Sequence, residues 1–470
     1  MNQQTAIQLL LAHLRRGHCT GRELQHALRV GQPRIAQLVK TAGSAITRFG
    51  AARSSRYGTA RLPNPNPRPL PLYCVEAQDA ATLRLVGEVV ALAPAPNGDV
   101  LVRWEDGGSS GELLHEGFPC FLADMTPQGF LGRTFAHQNP LLQLPPDVSR
   151  WSSDNVFHAL SNAGHDMSGA WIVGEAAAEK WLAARHAGED AAAPLGGPAV
   201  PQRGRAAAFE KLATQTMNGA PPGSSAGGEQ PKFLCRVKTV PSASTAAGTS
   251  GVRAVIVKFS PPRETSAGTR WADLLCAEHL AQTVLAEAGL PAARTRLVRG
   301  ATRTFLEVER FDRIGAFGRR PFVSFKALAM ARDGDIGDTW FGLAQAFRDA
   351  GFVGEKTVAQ TRLLAAFAAQ IHNTDTHPGN IALQPVEAAE LSLLGDAPRL
   401  ELAPAYDMLP MRYRPSPQDG VTMDNSPAAP PPPSPSLLPA WDEAAQLAAR
   451  FRERLLADET ISPKFRALWK

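Results

Sequence analysis

A chain of 470 residues with 44% hydrophobic and 20% charged residues has the composition of a soluble globular protein and is long for one core, so two or three domains are expected. It holds no uninterrupted apolar run of bilayer length and no secretory leader pattern. Its five cysteines (Cys19, Cys74, Cys120, Cys235, Cys276) are scattered and odd in number, which argues against a disulfide framework or zinc module and for a reducing, cytoplasmic setting. The formal charge of +5 is uneven: residues 1–61 carry ten Lys or Arg against one acid, Glu23, for +9, and the rest of the chain sums to about −4.

The basic segment has helical periodicity. Ala6, Ile7, Leu9, Leu10, Leu11 and Leu14 predict a first helix that stops near Gly17. Thr20 and Glu23 form a capping-box pair for a second helix, and a third starts with Pro33 in its first turn and runs to Gly43. A hairpin follows between Ala45 and Arg61. Three short helices and a hairpin predict a winged helix-turn-helix over residues 1–61 that binds double-stranded DNA. Gln32, Arg34 and Gln37 would face the major groove, and Arg48, Arg53 and Arg56 would meet phosphates or the minor groove. A protein that reads a palindrome this way would favour a homodimer, nucleoid-associated when bound.

Residues 62–71, where Pro alternates with other residues, predict a stiff linker. Residues 72–135 read as a small β-rich subdomain, with alternation over Leu83–Val90 and Val100–Trp104 about a Pro96–Asp99 turn. Residues 136–325 follow as a second α+β region. Trp151 to Trp181 is helical in pattern, and His158 and His165 there lack a third nearby metal ligand and read as structural. The Ala, Gly and Pro content of residues 187–204 predicts a mobile loop, and 241–251 a second one between strands ending at Val240 and starting at Val252. Residues 326–470 are mainly helical, interrupted by a Pro-rich segment at 415–439 and closed by an amphipathic helix from Trp441 to Leu456.

Chemistry concentrates in four places. Ser224 to Phe233 is a glycine-bearing loop ending at Lys232, whose small residues let backbone N–H groups approach phosphate oxygens. The strand Ala254–Phe259 sets Lys258 among apolar residues, where its charge needs a partner, and the helix Trp271–Ala288 offers Glu278. The polar run Ile371–Asn380 places Asp375 and Asn380 five positions apart after a helix, and Leu402–Leu409 delivers Asp407 from an apolar stretch. One Asp to accept a hydroxyl proton, with an Asn and a second Asp to hold Mg2+ against phosphates, suits kinase chemistry, and phosphate loop, strand Lys, helix Glu, catalytic loop and metal Asp is the kinase order.

The segments SSAGGEQPKF, IVKFS, AEHLAQTVLAEAGL, VERFDR, HNTDTHPGN and LAPAYDML resemble the HipA family of bacterial serine/threonine kinase toxins. With the N-terminal helices, the chain is similar to that family's YjjJ-type branch, in which a DNA-binding segment is fused to the kinase. The resemblance implies a two-lobe kinase-like core, an N-lobe region within 136–325 and a C-lobe within 326–470, with ATP and Mg2+ as cofactors. Carried over residue by residue, it makes Asp375 the general base, Asn380 and Asp407 the metal ligands, and Lys258 the phosphate-binding lysine paired with Glu278. Ala226, Gly227, Gly228, Glu229, Gln230, Pro231, Lys232, His377, Pro378, Gly379 and Tyr406 join Lys258, Asn380 and Asp407 around ATP, and Ser225 matches the serine that the family autophosphorylates. The stretch Phe118–Arg133 would pack the small subdomain on the core, and Pro321–Lys326 would carry the hinge between lobes. The implied substrate is a protein of translation, an aminoacyl-tRNA synthetase in the family, with an antitoxin as a further partner. The family's loop commonly has a Lys just before the metal-binding Asn, where this chain has Gly379. That departure supports the competing reading, a transcriptional regulator whose kinase-like domain senses nucleotide. The joint presence of Asp375, Asn380, Asp407, Lys258 and the glycine loop argues for the enzyme.

Overall fold

The computed structural model describes residues 2–51, 54–63, 65–78, 80–106, 109–127, 129–188, 194–219, 230–238, 251–331, 337–386, 393–394, 399–416, 418–420 and 422–470. The fold is of the α+β kind, with several separate sheets.

The N-terminal unit contains α1 (Gln3–Leu14), β1 (Cys19–Thr20), α2 (Gly21–Leu28), α3 (Gln32–Ala42), β2 (Thr47–Phe49) and β3 (Arg56–Gly58). Its local signals act as expected: the Thr20 hydroxyl accepts from the Glu23 N–H at 3.3 Å, and the Glu23 carboxylate accepts from the Thr20 N–H at 2.6 Å, so two orphan donors of α2 are satisfied reciprocally. Pro33 lies in the first turn of α3, and Gly43 ends that helix at φ +57°. Ala6, Leu10, Leu14, Leu24, Ile35 and Leu38 close the small core, and the strands pair in the order β1-β3-β2.

The next sheet is antiparallel, ordered β7-β6-β5-β4-β8, from β4 (Leu70–Val75), β5 (Leu83–Ala91), β6 (Val100–Asp106), β7 (Ser109–His115) and β8 (Trp171–Val173). Its last strand comes from the segment read as helical. Trp171, Ile172 and Val173 are buried on both faces, so they show no alternation to mark a strand. Helices α4 (Cys120–Ala123), α5 (Gly129–Gln138), α6 (Ser153–Ala163) and α7 (Glu175–Ala187) complete this unit. The N-terminal unit docks on it: Phe49 is buried with Val90, Leu92 and Leu101, the Gly50 N–H donates to Glu112 at 2.6 Å, and His18 Nε2 lies 2.9 Å from Asp99.

A second five-stranded sheet runs β12-β13-β11-β10-β9, from β9 (Ala199–Val200), β10 (Lys232–Lys238), β11 (Val252–Phe259), β12 (Thr295–Arg299) and β13 (Thr304–Glu309). Strand β9, parallel to β10, lies in the stretch expected to be loop, of which residues 189–193 are outside the described set, as are 239–250 between β10 and β11. Helix α8 (Arg205–Gly219) covers one face through Phe209 against Phe233 and Phe305, and α9 (Ser266–Glu287) contacts the sheet and carries Glu278. The hairpin β14 (Arg313–Ile314) and β15 (Gly318–Arg319) leads to the helical half. There β16 (Val323–Ser324), β17 (Ala382–Pro385) and β18 (Leu400–Leu402) form a small sheet beside α10 (Phe325–Ala329), α11 (Trp340–Asp349), α12 (Glu355–Gln370), α13 (Leu438–Ala457) and α14 (Pro463–Ala467). The expected C-terminal helix packs on α12 with Phe451 edge-on to Phe367 and Trp469. Among the described residues no helix is long and apolar enough to cross a membrane, and all five cysteines are free and buried.

Phe451 is fully buried, whereas Leu438 on the same helix is 56% exposed. Phe451→Ala should destabilise the helical half by about 3–5 kcal/mol, with Leu438→Ala within about 0.5 kcal/mol of wild type, as read by urea unfolding followed by tryptophan fluorescence.

Candidate active site

Strands β10 and β11 pair in a register that puts Lys232 opposite Lys258, so both side chains leave the sheet on one face. Two like charges side by side require anions, and these come from elsewhere in the fold. Helix α9 delivers Glu278, which is wholly buried, with its carboxylate oxygens 2.6 and 2.8 Å from the Lys258 ammonium, and Asp407 reaches the same nitrogen from the segment after β18. Burial alone would push the Lys258 pKa down, but the Asp407 and Glu278 carboxylates outweigh it and hold it above its ordinary value. Asp407, half-buried, is held below the usual carboxylate range by Lys258 and Lys232, so it stays anionic. Burial pushes Lys232 down and Glu278 up.

The polar run after α12 is folded by its own side chains. Asn373 Oδ1 accepts the Asp375 N–H at 3.1 Å while its amide donates to the Asp407 carbonyl at 3.4 Å, which ties the two acid-bearing segments together. The Asn380 amide donates to the Asp375 carbonyl at 2.9 Å, leaving its own Oδ1 as an acceptor on the opposite side of the group. The Tyr406 hydroxyl donates to the Gly379 carbonyl at 2.9 Å, and the Trp340 indole donates to the His377 carbonyl at 3.0 Å. His377 Nδ1 accepts the Gly379 N–H at 3.0 Å, and its Nε2 stands 3.9 Å from Asp375. Asp407 and His372 adopt left-handed backbone at φ +52° and +59°, a conformation that costs a non-glycine residue free energy and is held by the Asn373 amide on the Asp407 carbonyl and the Arg412 N–H on the His372 carbonyl.

The structure therefore brings together Lys232, Lys258, Glu278 and Asp407, and beside them Asp375, His377, Pro378, Gly379, Asn380 and Tyr406. Gln230 precedes β10, and its buried Nε2 has no hydrogen-bond partner; Pro231 joins it to the strand. Ser225, Ala226, Gly227, Gly228 and Glu229 lie outside the described residues. An anionic carboxylate and a free amide oxygen are hard donors suited to Mg2+, and two ammonium groups with an unpartnered amide N–H suit phosphate oxygens. Asn373 and Trp340 were given no role from sequence. Asn two residues before Asp is an Asx-turn signal for the first, whereas the second is a contact between distant segments with no local mark.

Two expectations change. Ser324 lies in β16 paired with β17, its N–H donates to Asp124 at 2.6 Å and the Phe325 N–H to the Ile381 carbonyl at 3.0 Å, so these backbone donors are consumed. The chain instead leaves the sheet half at Glu309, and Phe311 just beyond stacks on Tyr406 with ring centroids 6.0 Å apart. Arg310 and Asp312 form a buried ion pair, 2.8 Å apart. In the N-terminal unit Gln32 and Gln37 are exposed on α3, with Arg34 half-buried and donating to Gln37 at 2.8 Å. Arg48 and Arg56 do not share a face: Arg48 is opposite Tyr57 and exposed, while Arg56 is opposite the buried Phe49 and half-buried with its guanidinium 3.0 Å from His18. Arg53 lies outside the described residues.

Residues 66–182 match the family described as the YjjJ-like toxin middle domain, and residues 224–462 the HipA-like C-terminal domain. The chain is 34% identical over 450 residues to Toxin YjjJ of Escherichia coli K12, which covers 94% of this chain and 91% of that protein. Among solved structures, the HipA toxin of Shewanella oneidensis MR-1, in complex with HipB and operator DNA, aligns at TM-score 0.43 and 15% identity over 84% of this chain and 90% of that one. The Helicobacter pylori proinflammatory kinase CtkA aligns at TM-score 0.30 and 12% identity over 46% and 85%.

Lys258→Met would leave Glu278 and Asp407 facing each other without their cation and should cost about 3–5 kcal/mol near neutral pH. Because the depressed Asp407 pKa contributes stability that is present above the unfolded value and lost as pH falls through the folded one, the gap between wild type and variant should narrow below the ordinary carboxylate range. Thermal melts of both proteins across pH 3–8 measure it.

Proposed function

The chain belongs to the HipA-like toxins, on their YjjJ-like branch, and we propose that it is an ATP- and Mg2+-dependent serine/threonine protein kinase with a DNA-binding winged helix-turn-helix at its N-terminus. The observation that carries the reading is the Lys258 ammonium held by Glu278 and aimed at Asp407, with Asp407 tied through Asn373 to the loop that presents Asp375 and Asn380.

In this reading Asp407 and Asn380 would hold Mg2+, which would neutralise charge on the phosphate oxygens. Lys258, and Lys232 across the strand pair, meet the remaining phosphate charge, with the Gln230 amide as a further donor. Asp375 accepts the proton of a Ser or Thr hydroxyl as its oxygen bonds to the γ-phosphorus and the bond to the ADP oxygen breaks. Catalysis comes mainly from positioning and charge neutralisation. The acceptor would be a protein of translation, with Ser225 as the site of self-phosphorylation.

The +9 N-terminal unit supports the DNA-binding part: its third helix exposes Gln32 and Gln37 beside Arg34, and Arg48 is exposed on the hairpin. Arg56 belongs to the seam with the neighbouring sheet and is left out of this set.

Intact-mass analysis after incubation with ATP and Mg2+ should show a gain of one phosphate, mapped to Ser225, that Asp375→Asn lacks. A chain that binds ATP yet labels neither itself nor an acceptor protein pool would turn the reading to a nucleotide-sensing regulator. Arg48→Ala should weaken duplex DNA binding uniformly across sequences and lower the salt dependence by about one phosphate contact, measured by fluorescence anisotropy at several salt concentrations.

A further inference from the structure

The loop that carries Asp375 and Asn380 offers no lysine of its own at its outer end. A Cβ at Gly379 would stand 2.9 Å from Cε1 and 3.0 Å from Nδ1 of His377, so that ring already fills the space a side chain there would enter. Another side chain reaches the same point from outside the loop: Cδ of Lys326 lies 4.0 Å from it, in ordinary van der Waals contact. The ammonium is two bonds further along.

The base of that lysine is fixed to the loop. Ser324 is paired with Ala382, the Phe325 N–H is bonded to the Ile381 carbonyl, and the Ser324 hydroxyl caps α10 by accepting from the Ala327 N–H at 3.1 Å. Lys326 therefore leaves the backbone beside Asn380 and Ile381. It is exposed and makes no ion pair with a described residue, whereas Lys258 is already held by Glu278 and Asp407. Lys232 and Lys258 both approach from the sheet side of the cleft. The loop side needs a cation of its own, because the outermost phosphate of a bound nucleotide lies farthest from the sheet lysines and closest to the hydroxyl acceptor at Asp375.

We infer that Lys326 is this cation: from α10, it faces the terminal phosphate across the loop and takes the place a lysine at position 379 would hold. The inference rests on the kinase reading of the same site. A unit charge with a flexible four-carbon stem suits a phosphate oxygen that is in place only while nucleotide is bound.

The test compares wild type, Lys326→Ala and Lys326→Glu. Affinities for MgATP and MgADP are measured by calorimetry, and phosphate transfer to protein is followed in parallel. Because Lys326 is exposed and makes no ion pair with a described residue, melting temperatures should be nearly unchanged. The preference for MgATP over MgADP should fall about tenfold in Lys326→Ala and further in Lys326→Glu, with kcat reduced about tenfold to a hundredfold. An equal preference in all three proteins with transfer intact overturns the role of Lys326 and leaves the kinase reading standing. A graded loss of preference in a chain that transfers no phosphate supports the placement of Lys326 and overturns the kinase. A wild type that binds neither nucleotide overturns both.

Discussion

The contact on which the site depends is the Lys258 ammonium between Glu278 and Asp407. It joins β11, α9 and the segment after β18, three elements from two halves of the fold. A buried cation and two carboxylates are a poor source of net stability, because removing each charge from water costs nearly what the attraction returns. What they supply is exclusivity of arrangement: each charge is tolerable only while the other two are in place, so the sheet, the helix and the acid segment are held to one mutual geometry. The aromatic packing of α12 and α13 and the apolar faces of the sheets provide the stability that this arrangement does not.

The loop is stiffened by different means. Its backbone is held by Asn373, Asn380, Tyr406 and Trp340, each bonding a main-chain group. Among the described residues those bonds leave the Asn380 amide oxygen without a partner and the Asp375 carboxylate with only the His377 ring, 3.9 Å away. Left-handed backbone at Asp407 aims a carboxylate that an extended residue would direct elsewhere, and the Asn373 amide on its carbonyl secures that turn.

What was legible in the sequence follows from range. The Thr20–Glu23 cap and Pro33 are local, and they act where they stand. Lys258, Glu278, Asp375 and Asp407 were found by order and spacing, and the fold gathers them. Strands β8 and β9 escaped because three buried residues or a two-residue pairing carry no period. The pairing of Ser324 with Ala382 left no mark in the sequence, because it is a contact between distant segments. Arg48 and Arg56 were grouped by charge, but strand alternation separates them, and burial of Phe49 decides which one turns inward.

The seam between the N-terminal unit and its neighbouring sheet combines the buried Phe49 ring, the Gly50 N–H on Glu112, the Arg103 guanidinium on the Arg48 carbonyl, His18 beside Asp99, backbone bonds from the Arg61 N–H to Ala91 and the Ala93 N–H to Thr59, and Arg61 paired with Asp154 at 2.6 Å. Stable association of two separately encoded chains usually takes about 1,200–2,000 Å2 of complementary interface. Here the short connection from β3 to β4 makes the encounter intramolecular, at an effective concentration in the millimolar range, on the order expected for short linkers. Fusion of the two units thus removes the need for a large complementary surface, and leaves the outer face of the N-terminal helices unconstrained by any requirement to recognise the core.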